Sequence, residues 1–180
     1  TETMNKLLHY ERGRGSLVSK HEVKITHDKH EKVIRGENIV LATGSRPRII
    51  PNIEVDEKTI LSTDGIDSIS DYPESLVIVG AGVIGCEYAT IFSNFGKTKV
   101  YLIDRQDRIL PFEDPDISKM VAKNLEDQGV VIHHNANLDR LEHKDGRIEY
   151  ELKYKDGSSE IIQVEKALLS VSNNINSKTT

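Results

Sequence analysis

The stretch LVIVGAGVIGCEYATIF, residues 76–92, opens as an unbroken apolar run, breaks at three glycines and resumes with helical spacing. Leu76, Val77, Ile78 and Val79 do not alternate with polar residues, which is the pattern of a strand covered on both faces. Gly80, Gly82 and Gly85 then fit G-x-G-x-x-G at the passage from strand to helix, the setting in which that spacing has a mechanism. The first glycine makes a tight turn, the second lets a pyrophosphate come close to the backbone, and the third lets helix and strand pack closely. Free amides at the helix start, from about Val83 onward, then meet an anion, where the dipole adds about 0.3–1 kcal/mol per exposed charge.

Working outward, Ile84, Tyr88, Ile91, Phe92 and Phe95 recur at helical spacing, and Gly96 closes the helix as a C′ glycine. A second strand is expected at 99–104. Asp114 then suits an N-cap and Pro115 the first helical position, Ile117, Met120, Val121 and Leu125 form a stripe, and Gly129 stops the helix. Residues 130–134 follow as a third strand, so the order is β-α-β-α-β, half of a doubly wound sheet. Beyond it, LDRLEH, RIEYELKY and EIIQVEKALLSV read as antiparallel strands, with KDG at 144–146 and 155–157 as hairpin turns.

Asp104 lies 24 residues after Gly80 and ends the second strand, where a carboxylate is placed to bond the adenosine ribose hydroxyls. A 2′-phosphate at that point meets a like charge, which favours NAD over NADP. Arg105 keeps the alternative open, since it can swing in and neutralise such a phosphate.

Upstream, residues 15–19, 21–26, 32–36 and 38–44 are short β-type runs parted by turn residues, a meander. From 45 to 72 periodicity fades and Pro47 and Pro51 enter, as in a connection between folding units. The boundary is expected near residue 70, giving 1–70 and 71–180.

The 180 residues carry 24 Lys and Arg against 29 Asp and Glu, a net charge of −5, which points away from nucleic acid as a partner. The apolar runs fall well short of the roughly 20 residues that cross a bilayer, and no secretory leader is recognisable, so a cytoplasmic setting is expected. The single cysteine, Cys86, rules out an internal disulfide. Inside the fingerprint helix it reads as a small buried thiol. His133 and His134 are adjacent on a strand and so point to opposite faces, which makes no metal pair. No metal site is expected. A first residue other than Met suggests a piece of something longer.

Three segments carry a resemblance to a known family. IVLATGSRP at 39–47, VIVGAGVIGCEYATIF at 77–92 and VEKALLSV at 164–171 resemble, in order and separation, segments of the FAD-dependent pyridine nucleotide disulfide oxidoreductases. The likeness is strongest to the dihydrolipoamide dehydrogenase branch and next to the soluble pyridine nucleotide transhydrogenases. It implies an α/β fold: a Rossmann-like three-layer NAD domain with a parallel sheet and an antiparallel β-meander, preceded by part of an FAD-domain β segment. Thr43, Gly44, Ser45 and Arg46 would touch FAD. Residues Gly80 to Gly85 would hold the NAD pyrophosphate, Asp104 the ribose, and Leu138 would lie by the adenine. Glu87 would face the flavin and nicotinamide, although by residue type alone it reads as a surface acid. Implied with these are a homodimeric parent, a lipoyl domain of a 2-oxo acid dehydrogenase complex as partner, and hydride transfer between FAD and NAD.

The departures are as informative. The family's glycine-rich first FAD turn, C-x4-C redox disulfide and C-terminal His-Glu pair are not in these residues, so no catalytic residue is expected here and the polypeptide alone should not turn over. The family's G-R-x-P-N after the last strand reads Ser172, Asn173, Asn174, Ile175, Asn176, so Ser172 stands where a glycine would approach the nicotinamide. Two further readings stay open: a transhydrogenase, which GAGVIGCEYA resembles closely, and a non-catalytic NAD-sensing module.

Overall fold

A computed structural model describes residues 8–48, 50–171 and 174–175. Contacts divide the chain into two compact units, one ending at Gly44 and one beginning at Ser45. The first holds an antiparallel sheet of β1 (Arg14–Ser19), β2 (Glu22–His27) and β3 (His30–Arg35) in that order, close to three of the four expected runs. The fourth run, 38–44, forms no strand: Val40 and Leu41 are exposed, and no described strand lies beside them to close a ladder of backbone hydrogen bonds.

The second unit opens with the two-residue strand β4 (Ser45–Arg46) and continues with β5 (Ile60–Ser62), β6 (Ser75–Val79), α1 (Val83–Asn94), β7 (Lys99–Ile103), α2 (Pro115–Asp127) and β8 (Val131–His133). Next come β9 (Ala136–Lys144), β10 (Arg147–Tyr154), β11 (Ser159–Val164), β12 (Lys166–Leu169) and β13 (Asn174–Ile175), the last pairing with β4. Five parallel strands form the central sheet in the order β5-β12-β6-β7-β8. The connection expected over 45–72 thus contributes β5, so the second unit starts upstream of the boundary expected near residue 70.

Successive side chains of β6 point to opposite faces, and the core divides accordingly. Leu76 and Ile78 join a cluster with Cys86, Ala89 and Phe92 of α1 and Leu125 of α2. Val77 and Val79 join the cluster of Ile148, Tyr150 and Leu152 from β10. The unit is therefore three layers: helices, parallel sheet and the antiparallel meander β11-β10-β9.

Both helices form where expected, yet turn differently from the expected stripes. α1 buries Gly85, Cys86, Ala89, Phe92 and Ser93 and leaves Ile84, Ile91 and Phe95 exposed. The helix starts so close to β6 that small residues occupy the contact face: a Cβ on Gly85 would lie 1.9 Å from the Gly80 carbonyl oxygen. In α2, Ile117 and Met120 are exposed, whereas Ser118 is buried because its hydroxyl donates to the Leu110 carbonyl at 3.0 Å. The caps follow expectation: the Asp114 carboxylate accepts from the Asp116 N–H at 2.8 Å, and Gly96 and Gly129 end the two helices at φ +66° and +88°.

The β9–β10 turn places Asp145 and Gly146 at φ +51° and +79°, the left-handed pair a two-residue hairpin requires. EIIQVEKALLSV does not stay in the meander. Its first half is β11, and its second half crosses into the central sheet as β12, parallel to β6. Within the meander, Glu149 is 4% exposed and accepts from Lys144 Nζ at 2.9 Å, Gln163 Nε2 at 3.1 Å and Arg140 at 3.0 Å. The lysine, the amide and the guanidinium hold its carboxyl down to about 2. His133 lies 2.7 Å from the Tyr154 hydroxyl, which in turn donates to Glu160 at 3.0 Å, tying β8 to the meander. Burial keeps the His133 imidazole below its ordinary value, against the pull of Glu160.

Candidate functional site

The site is the turn from β6 into α1, and the three glycines serve it in three different ways. Gly80 sits at φ +105°, and a Cβ there would lie 2.9 Å from the Ser170 carbonyl oxygen, so both conformation and packing demand a glycine. Gly85 is demanded by the backbone of Gly80, as described above. Gly82 is demanded by neither: its φ of −76° suits any residue, and a Cβ would find no atom of the described residues within 4 Å. The space beside Gly82 is open. Among the described residues no side chain caps α1, so the first amides of the helix, from Val83 on, face the same opening. A concave turn with bare amides and no methyl group in the way fits a pyrophosphate.

Asp104 follows the end of β7, and the structure brings it to this turn. Its Oδ2 accepts from the Ala81 N–H at 3.0 Å and its Oδ1 from the Gln106 N–H at 2.7 Å. The backbone around it is fixed on both sides: the Gly80 N–H donates to the Ile103 carbonyl at 2.9 Å and the Asp104 N–H to the His133 carbonyl at 3.0 Å. The carboxylate therefore stands at the glycine turn with a defined orientation, half-buried.

Two residues that the motif does not contain complete the turn. The Ser170 hydroxyl lies 3.0 Å from the Val79 carbonyl and 2.8 Å from that of Gly80, so its one proton is shared between them. The Leu110 N–H donates to the Ala81 carbonyl at 2.9 Å, with Leu110 itself in the left-handed region at φ +49°. Ser170 had a faint signal, a small polar residue ending an apolar strand. Leu110 had none. Cys86 is buried, its thiol 3.6 Å from the Ala81 carbonyl, and burial pushes it up to about 12, so it exists as the neutral thiol.

The remaining expected residues are spread more widely. Glu87 is exposed on α1, four residues from Val83 and from Ile91, which share its face of the helix and are also exposed. Leu138 pairs with Leu152 and packs, partly buried, against the meander-side core. Thr43 and Gly44 end the first unit, Gly44 at φ +74°, while the exposed Ser45 and Arg46 begin the second. Ser172 lies outside the described residues. Among the described residues no group of three or more His, Cys, Asp or Glu is placed to hold a metal, and no helix is long and apolar enough to cross a membrane.

The sequence profile of the pyridine nucleotide-disulphide oxidoreductases matches residues 2–179. A soluble pyridine nucleotide transhydrogenase of Hahella chejuensis is 40% identical over 131 residues, 72% of this chain and 28% of that protein. A dihydrolipoyl dehydrogenase of Bacillus subtilis is 36% identical over 131 residues, 73% of this chain and 28% of its own. The chain thus spans under a third of the length of these relatives. Among solved structures, LpdA of Mycobacterium tuberculosis superposes with a TM-score of 0.72 at 26% identity, covering 89% of this chain and 36% of that one. The HOCl-induced flavoprotein disulfide reductase RclA of Escherichia coli does so at 0.66 and 26%, covering 89% and 35%. With that profile matched over residues 2–179, nearly its whole length, the chain belongs to the pyridine nucleotide-disulphide oxidoreductase family.

Proposed function

We propose that this chain is the NAD-binding portion of a flavin-dependent oxidoreductase of the dihydrolipoamide dehydrogenase type, in which hydride passes between FAD and NAD. The observation that carries the reading is Gly82, a glycine that no atom of the described residues and no backbone angle requires, beside uncapped helix amides. Amides from Gly82 to Gly85 bind the pyrophosphate, and Asp104 takes the ribose hydroxyls. When bound, the nicotinamide supplies the hydride-accepting carbon; the chain supplies orientation and charge. The exposed face of Val83, Glu87 and Ile91 is suited to meet the flavin and nicotinamide region, with Leu138 near the adenine and Ser172 toward the nicotinamide. Thr43, Gly44, Ser45 and Arg46 form part of the FAD contact, which makes the first unit a flavin-domain segment, while the central sheet, β5 included, belongs to the NAD domain.

The parent is then a cytoplasmic homodimer that takes electrons through a redox disulfide outside these residues, with the lipoyl domain of a 2-oxo acid dehydrogenase complex as its partner. A second reading, a soluble transhydrogenase, is favoured by the 40% identity to one such enzyme. It requires that NADP also be accepted, and Asp104 opposes that by charge.

Titration of the chain with NAD and with NADP tests the reading. NAD should bind more tightly, and Asp104→Ala should weaken it about tenfold, the worth of a hydrogen bond to a charged acceptor, while narrowing its lead over NADP. Equal loss for both coenzymes would mean that the carboxylate does not read the ribose. Comparable affinities in the unaltered chain would favour the transhydrogenase.

A further inference from the structure

Asp104 and Arg105 are consecutive, yet their side chains are drawn to different parts of the fold. The carboxylate is turned to the glycine turn after β6, where it accepts from the Ala81 N–H. The guanidinium is turned to the meander, where its Nε donates to Asn137 Oδ1 at 3.0 Å. Asn137 is the second residue of β9, and its position is rigidly coupled to the acid: the Ala136 N–H donates to the Asp104 carbonyl at 3.0 Å, and the Asn135 N–H to the Gln106 carbonyl at 2.8 Å. The terminal nitrogens of Arg105 have no hydrogen-bond or carboxylate partner among the described residues. The neighbouring charges are already engaged: Lys153 pairs with Asp139 at 2.8 Å, and Lys155 donates to Asn135 at 2.7 Å.

We propose that Asn137 is a positioning residue for coenzyme selectivity, holding the Arg105 guanidinium away from the ribose 2′ position so that Asp104 alone faces it. This rests on the NAD-binding reading of the site. A ribose hydroxyl at that position finds an acceptor and no competing cation. A 2′-phosphate finds a carboxylate, and the one cation within a residue of it is tethered through Nε. Cutting the tether frees a planar donor whose two terminal nitrogens match phosphate oxygens, so the discrimination against NADP falls. The carboxyl variant at 137 should tighten the tether by adding an opposite charge.

The test is calorimetric titration of NAD and NADP into the 180-residue chain and three variants. Asn137→Ala should raise the NADP affinity relative to NAD by about tenfold. Asn137→Asp should keep or lower that ratio, and adding Arg105→Ala to Asn137→Ala should cancel the gain. Thermal midpoints close to that of the parent would show that Asn137, an exposed side chain, acts on the ligand and not on the fold. If NAD binds normally and the ratio is unmoved or falls in Asn137→Ala, the tether is overturned while the NAD site stands. If the unaltered chain binds neither coenzyme, the tether and the reading beneath it fall together.

Discussion

At the scale of single residues, the three glycines make separable predictions. Gly82→Ala adds a methyl group into open space at an ordinary backbone angle, so its stability cost should stay within about 1 kcal/mol, the range of an N-cap change, while NAD binding is lost to the clash with the pyrophosphate. Gly85→Ala drives a methyl into the Gly80 carbonyl and should cost about 3 kcal/mol or more with or without ligand. Urea melts with and without NAD separate the two; a large loss of stability in Gly82→Ala would show that the glycine serves the fold. Cys86 offers a second check. Its thiol is buried and pushed up to about 12, so it should be silent to an aromatic disulfide reagent at pH 8 in the folded chain and react fully in denaturant. Prompt reaction in the native state would place it on the surface. The glycine spacing and Asp104 were legible in the sequence because their chemistry is local. Leu110 and Asn137 were not, and Ser170 only faintly, because their partners Ala81, Arg105 and Gly80 lie 29, 32 and 90 residues away in the chain and only the fold brings them together.

At the scale of elements, β6, β7 and β8 of the central sheet and both helices could be read, since buried apolar runs, caps and C′ glycines are strong signals. Which helix face is buried could not. Apolar residues spread over more than one face of α1, and the choice among them was made by the close approach at Gly85, which favours Cys86 and Ala89 over Ile84 and Ile91. In the same way β5 was hidden: three residues in a polar connection show no period, and only pairing with β12 makes them a strand. The meander yields a pH prediction. The Glu149 carboxyl sits at about 2 in the folded chain against an ordinary 4.5, held by Lys144, Gln163 and Arg140. Its contribution to stability is fully present above about 4.5 and is lost as pH falls toward about 2, because below that the folded and unfolded chains are equally protonated. Urea midpoints should thus fall between pH 5 and pH 2 more steeply for the parent than for Glu149→Gln. Parallel slopes would mean that this carboxylate is not held.

At the scale of the whole molecule, the parallel sheet is covered by helices on one face and the meander on the other, and the proposed coenzyme would meet backbone amides at the carboxyl ends of β6 and β7. Val40 and Leu41, and Val83 and Ile91 beside Glu87, are exposed in a chain that spans under a third of the length of these relatives. The most direct measurement is a two-dimensional amide NMR titration of the chain with NAD. Saturable shifts concentrated at the amides from Ala81 to Gly85 and at Asp104 to Gln106 are the predicted result. Saturation with no change at those amides, or shifts confined to another surface, would contradict the account.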